Sequence, residues 1–183
     1  MKDMSSQHTS ADEVRILVRA LDQAGDVLDH VHPDRLDAPT PCSDWSVGTL
    51  ADHLVATPGT FLSMMRGEEV DWSAPPPHVT EGWGGEFRTH ADDLTHHWHE
   101  LEGDPPVPPG MQVAELAVHT WDLATALRRP TGALDPEVAR AALEFLRANL
   151  TPERRGDAFG EERTPPPGAG PYEELAAYAG RQV

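Results

Sequence analysis

"AELAVHTWDLATAL", residues 114–127, sets two carboxylates and an imidazole into an otherwise apolar run. Glu115, His119 and Asp122 step by four and three, so on a helix they share one face. The alanines, leucines and Val118 around them turn that face inward. A buried carboxylate or imidazole is costly without a partner. The stretch therefore predicts a core helix, over about 111–128, whose inward face holds something polar in place.

The rest of the chain supplies helices to pack against it. Val14, Leu17, Leu21, Ala24, Leu28 and Val31 step by three and four, which predicts an amphipathic helix over 11–31. Ser10 and Glu13 have the spacing of a capping box at its start. After the proline-punctuated "HPDRLDAPTPCSDW", Asp44 or Ser46 opens a second helix through Val47, Leu50 and Leu54 towards Met65, with Pro58-Gly59 expected to kink or interrupt it. A third helix is expected over 86–101. Asp135-Pro136 is a good cap and first position for a fifth over 136–149, and a short helix is expected near 171–179. No segment alternates with period two and no repeat is present. The fold class read from this pattern is all-α: a four-helix bundle, with an additional flanking helix and proline-rich loops. Residues 1–10 are expected to be a flexible N-terminus, and 11–183 a single domain.

The net charge of the 183 residues is −17, from 14 Lys and Arg against 31 Asp and Glu. A field of that sign repels phosphate backbones and anionic membranes, so no nucleic acid and no membrane is expected as a partner. No apolar run approaches the ~20 residues of a membrane span, and the first ten residues lack a signal peptide's apolar centre. The one cysteine, Cys42, excludes an internal disulfide and fits a reducing, cytoplasmic setting. A thiol near a helix start can be reactive, although a structural role in the loop is the commoner reading.

Glu115 and His119, four apart on one helix, can hold a common metal ion, but two ligands do not make a site. The best third is His53 in "LADHLVA", among apolar neighbours on the second helix, since facing helices of a bundle aim side chains at one point. Two imidazoles and a carboxylate leave coordination positions open, as catalytic zinc sites do. Asp122 is a further ligand, an orienting group for an imidazole, or a general base; the catalytic role is the one expected. A second cluster, "HADDLTHHWH", sets His90, Asp93 and His97 on one face and Asp92, His96 and His99 on another. It reads as a titrating polar surface more readily than as a metal patch. No phosphate-binding loop, dinucleotide fingerprint or nucleophile elbow is present.

"TPCSDWSVGTLADHLVA" followed by "AELAVHTWDLATAL" resembles the mycothiol-dependent maleylpyruvate isomerase-like proteins of the DinB-like superfamily. "RRGDAFG" and "PYEELAAYAGR" resemble that group's closing motifs, so the likeness runs from about 11 to 181. It implies a DinB-like bundle holding a divalent metal through His53, Glu115 and His119, zinc first, with nickel and iron suited to the same donors. It also implies actinobacterial thiol chemistry with mycothiol as cofactor: isomerisation of a small-molecule substrate, or transfer of the thiol to it. The connection over 102–111 is shorter than in relatives. Arg154 and Arg155 are the plausible basic pair for a bound anion, and Arg155 is the expected cofactor contact. Three functions stay open: the thiol-dependent S-transferase or isomerase, a thiol-independent metal-assisted isomerase, cyclase or hydrolase, and a non-catalytic metal- or ligand-binding bundle. A second copy of the chain stays open as a partner in a homodimer.

Overall fold

The computed structural model describes residues 4–42, 44–155 and 159–183, apart from the side chains of 4–10. Six α-helices are found among them: α1 Met4–Leu28, α2 Val47–Met65, α3 Trp83–Glu100, α4 Pro109–Ala126, α5 Pro136–Asn149 and α6 Pro171–Tyr178. Among the described residues the only extended pairing is one antiparallel bridge, Pro39 to Ser46.

The helices close a ring in which α1 packs on α3 and α4, and α2 packs on the same two. α5 flanks α4 and α1, and α6 lies on α5. α4 is therefore covered on most sides. Thirteen of its positions, from Pro109 to Ala124, are buried, the mark of a helix at the centre of an all-helical domain. The chain is the all-α bundle with a flanking helix expected from the sequence.

Helix ends follow local chemistry. Ser46 caps α2, its Oγ accepting from the Thr49 backbone N–H at 3.3 Å. Asp135 caps α5 through the Glu137 backbone N–H at 3.0 Å, with Pro136 at the first helical position. Two expectations are corrected. α1 runs from Met4, so Ser10 lies inside the helix instead of capping it. α2 continues through the buried Pro58. A proline removes one backbone donor, and packing on both α3 and α4 holds the helix across that gap. Nearby, Thr57 and Thr60 donate their hydroxyls to the carbonyls of His53 and Ala56, at 2.8 and 3.1 Å.

The loop between α2 and α3 is pinned by a buried carboxylate. Asp52 accepts from His78 Nδ1 at 2.8 Å and from the Val79 backbone N–H at 3.1 Å. The C-terminal segment is fastened by a backbone crossing. Gly180 adopts φ 85°, and a Cβ there would meet the backbone of Gly160 at 2.6 Å. Only glycine suits such a place.

Candidate metal centre

α2 and α4 pack against each other and carry the three predicted ligands to one point. His53 Nε2 donates to Glu115 Oε1 at 2.8 Å. His119 Nε2 lies 3.2 Å from the same oxygen. One nitrogen or oxygen from each of the three lies within 4.8 Å of the other two. Four-coordinate zinc, with bonds of 2.0–2.1 Å, spaces its ligand atoms about 3.3 Å apart. The two separations from Glu115 Oε1, 2.8 and 3.2 Å, are close to that ligand-to-ligand spacing, and the donor chemistry suits a divalent ion.

The three groups are sheltered without being sealed. Side-chain exposure is 17% for His53, 25% for Glu115 and 11% for His119. All three line a cleft of about 1020 Å³ that also reaches Cys42, Trp45, Trp72 and Phe159. Trp45 covers both imidazoles. Its ring is 4.5 Å from that of His53, and 5.4 Å from that of His119 at an interplanar angle of 27°.

Burial works against charge on Glu115, but His119 and His53 outweigh it and hold the carboxyl well below its usual range. Burial likewise opposes charging of His119, yet Glu115 and Asp122 push that imidazole up to about 9. In the metal-free protein the pair is an ionised carboxylate beside an imidazolium, with a proton where a cation would sit.

Asp122 sits behind His119 instead of facing the cleft. Its side chain has no exposed surface, and Arg181 takes both oxygens, Nε to Oδ1 at 3.1 Å and Nη2 to Oδ2 at 2.9 Å. His119 Nδ1 lies 3.3 Å from Asp122 Oδ2, an ion-pair distance without hydrogen-bond alignment. A carboxylate committed in this way has no substrate-facing oxygen for the general-base role expected of it. What the placement suits is orienting the imidazole. Cys42, His119 and Asp122 also bring ligand atoms within 4.8 Å of one another, but Arg181 already occupies the carboxylate. Burial pushes the Cys42 thiol up, only partly offset by Arg181, away from the low values of reactive thiols.

Arg155 is engaged elsewhere. It donates from Nη1 to the carbonyls of Gly160 and Tyr178, at 2.9 and 2.8 Å, and its guanidinium lies 4.8 Å from the centre of the Tyr178 ring. It is absent from the cleft wall, where Arg154 stands in its place. Of the "RRGDAFG" motif, Gly156, Asp157 and Ala158 lie outside the described residues, as does Ser43 of "TPCSDW". On α3, His90 faces Glu86 at 3.6 Å and His96 faces Glu100 at 3.3 Å. Among the described residues no three ligands gather there.

Sequence reasoning assigned no role to Trp45 or Arg181. Trp45 precedes the α2 cap, and its ring position is set by how the loop folds back. Arg181 carried a usable signal: a buried Asp122 needs a cation, and few stand outside the loops and amphipathic surfaces.

The model of the family described as mycothiol maleylpyruvate isomerase N-terminal domain matches residues 17–124. Two uncharacterized proteins of Mycobacterium tuberculosis, from strains CDC 1551 / Oshkosh and ATCC 25618 / H37Rv, are each 31% identical, over 90% of this chain and 95% of their own. No solved structure matches. The chain belongs to the mycothiol maleylpyruvate isomerase N-terminal domain family, a DinB-like family whose match spans both helices that carry His53, Glu115 and His119.

Proposed function

We propose that the protein is a divalent-metal enzyme of the thiol-dependent S-transferase or isomerase type, with His53, Glu115 and His119 as ligands, zinc as the metal and mycothiol as the thiol. The observation that carries it is the shared approach of both Nε2 atoms to Glu115 Oε1 at the wall of an open cleft. His53, Glu115 and His119 would hold the cation, which would supply Lewis-acid chemistry that lowers the pKa of a thiol.

The chain's own residues do the rest. Glu115 supplies the negative charge of the ligand set. Arg181 fixes Asp122, which sets its negative charge 3.3 Å behind His119 Nδ1, a placement that suits positioning of the imidazole. Trp45 limits ring rotation of both histidines and keeps bulk water off one side of the centre. The aromatic wall of the cleft surrounds an electrophilic small molecule while leaving it reachable from the centre.

Metal analysis of the purified protein, followed by loading with Co²⁺, tests the reading. One equivalent of cobalt is expected, with a sulfur-to-cobalt absorption band appearing when mycothiol is added. His53→Ala and His119→Ala should bind neither. A protein that holds no metal ends the proposal. One that binds cobalt but shows no sulfur band on thiol addition keeps the centre and favours a thiol-independent reaction.

A further inference from the structure

The cleft has a second functional wall, different in charge balance from the rest of the surface. The chain carries 31 acidic side chains against 14 cationic ones, yet the charged groups of the cleft are Arg154, Arg163 and Arg181 against Asp44 and Glu115. A molecule with a net charge of −17 repels anions from most of its surface. With Arg181 neutralised by Asp122, two arginines stand against two carboxylates in the cleft, a balance far from that of the acidic surface. The arginines are not all spent on the fold. Arg181 is committed to Asp122. Arg163 is anchored by its Nε to the Gly180 carbonyl at 3.1 Å and by its backbone N–H to the Ala177 carbonyl at 2.9 Å, which leaves its two terminal nitrogens without a partner among the described residues. Arg154 has no side-chain partner at all among the described residues, and it faces the cleft.

Five aromatic side chains are among the lining residues: Trp45, Phe61, Trp72, Phe145 and Phe159. Trp72, on the loop between α2 and α3, is 47% exposed, and among the described residues no other large aromatic is exposed. Its ring packs T-shaped on that of the buried Phe61, ring centres 6.0 Å apart, and it remains partly open to solvent at the cleft. The volume of about 1020 Å³ is that of a pocket for a drug-sized ligand, far more than a two- or three-carbon acid fills.

We propose that this cleft takes a substrate with a flat apolar body and an anionic group, the body lying against Trp72 and the anion held by Arg154 and Arg163. The inference rests on the functional reading above, because it names the substrate of the same centre. Guanidinium pairs with carboxylate or sulfonate through charge-assisted bonds, and an aromatic face favours planar apolar surface over a saturated ring.

Calorimetry with naphthalene-2-sulfonate and with the neutral naphthalene-2-methanol tests it, on metal-loaded and on chelator-treated protein. Sulfonate is a poor metal ligand, so its binding reads the arginine wall and not the centre. The sulfonate is expected to bind about tenfold more tightly than the alcohol, the value of one charged hydrogen bond. Arg154→Gln, at an exposed position, should remove most of that preference. Trp72→Leu should weaken both probes alike and leave their ratio unchanged. Equal affinity for the two probes, a preference that survives Arg154→Gln, or no binding of either overturns the proposal. Metal content measured on the same samples separates the two readings. A loaded protein without anion preference sinks the substrate class alone, and an anion-selective protein that never takes up metal sinks the centre alone.

Discussion

Arg181 grips Asp122 through two nitrogens, 3.1 and 2.9 Å from its two carboxylate oxygens, and neither side chain is exposed by more than 6%. The pair joins the last residues of the chain to the middle of α4, directly behind His119. Charge buried this deeply is tolerable only because the fork matches the carboxylate and the geometry is bidentate.

Breaking one side of that pair leaves an uncompensated buried charge. Arg181→Met should cost about 3–5 kcal/mol in chemical denaturation. In the folded fraction it should also weaken metal binding about 10–100-fold, the usual effect of losing an orienting partner. The Asp122→Asn, Arg181→Met double variant should recover much of the stability but not the metal affinity, because His119 still lacks its anionic support. Full metal affinity in the double variant would remove the positioning role.

The Glu115–His119 pair gives the metal-free protein a signed response to pH. His119 is raised from 6.5 to about 9, so its contribution to stability is fully present below 6.5 and is lost as pH rises through about 9. Glu115 is depressed from 4.5, so its contribution is present above 4.5 and is lost only in stronger acid. The chelator-treated protein should therefore melt at steadily lower temperature from pH 6.5 to 9. A metal needs the neutral imidazole, so the rise in melting temperature on adding Zn²⁺ should grow over the same range. Thermal melts at four pH values, with zinc and with chelator, measure both. A metal-induced rise that stays flat between pH 6.5 and 9 contradicts the assignment of His119 as a ligand.

Arg128 offers a test away from the site. It ends α4 at φ 57°, and its N–H and that of Arg129 close the last turn onto the carbonyls of Thr125 and Ala124. A left-handed residue at this point of a helix terminus is ordinarily glycine. Arg128→Gly should stabilise the protein by about 1 kcal/mol, since the strain of a side chain in that region is relieved, and metal binding should not change. A loss of stability in urea titration would mean that the arginine contributes more than its backbone conformation costs.

The bundle and the convergence of His53, Glu115 and His119 were legible because both rest on period. Steps of three and four in 11–31 and 114–127 gave the helices, and the apolar surroundings of Glu115 and His119 turned them inward. What escaped depended on tertiary closure. Pro58-Gly59 read as a kink or an interruption, and the helix is not interrupted, because packing on two neighbours outweighs one missing hydrogen bond. The bidentate partner of Asp122 went unseen because it lies 59 positions away, in a tail whose docking no local pattern announces. Adjacent arginines cannot be told apart by local pattern, and here Arg155 turns to the Gly160 and Tyr178 carbonyls while Arg154 lines the cleft.

Gly180 connects that tail to the centre. Its φ is 85°, and a methyl group at this position would come within 2.6 Å of the Gly160 backbone, so no side chain fits without parting the two segments. Arg163 also fastens to the Gly180 carbonyl from the other side of the crossing, at 3.1 Å. Gly180→Ala therefore has a consequence beyond local strain of about 1–2 kcal/mol: displacement of the backbone carries Arg181, the next residue, off Asp122. The expected result is a loss of about 3 kcal/mol or more in chemical denaturation, close to that of Arg181→Met, together with the same weakening of metal binding. Combining Gly180→Ala with Arg181→Met should add little to either variant, since both break one link. Additive losses would show that the glycine crossing and the buried ion pair act separately, and the tail would then have no part in holding His119.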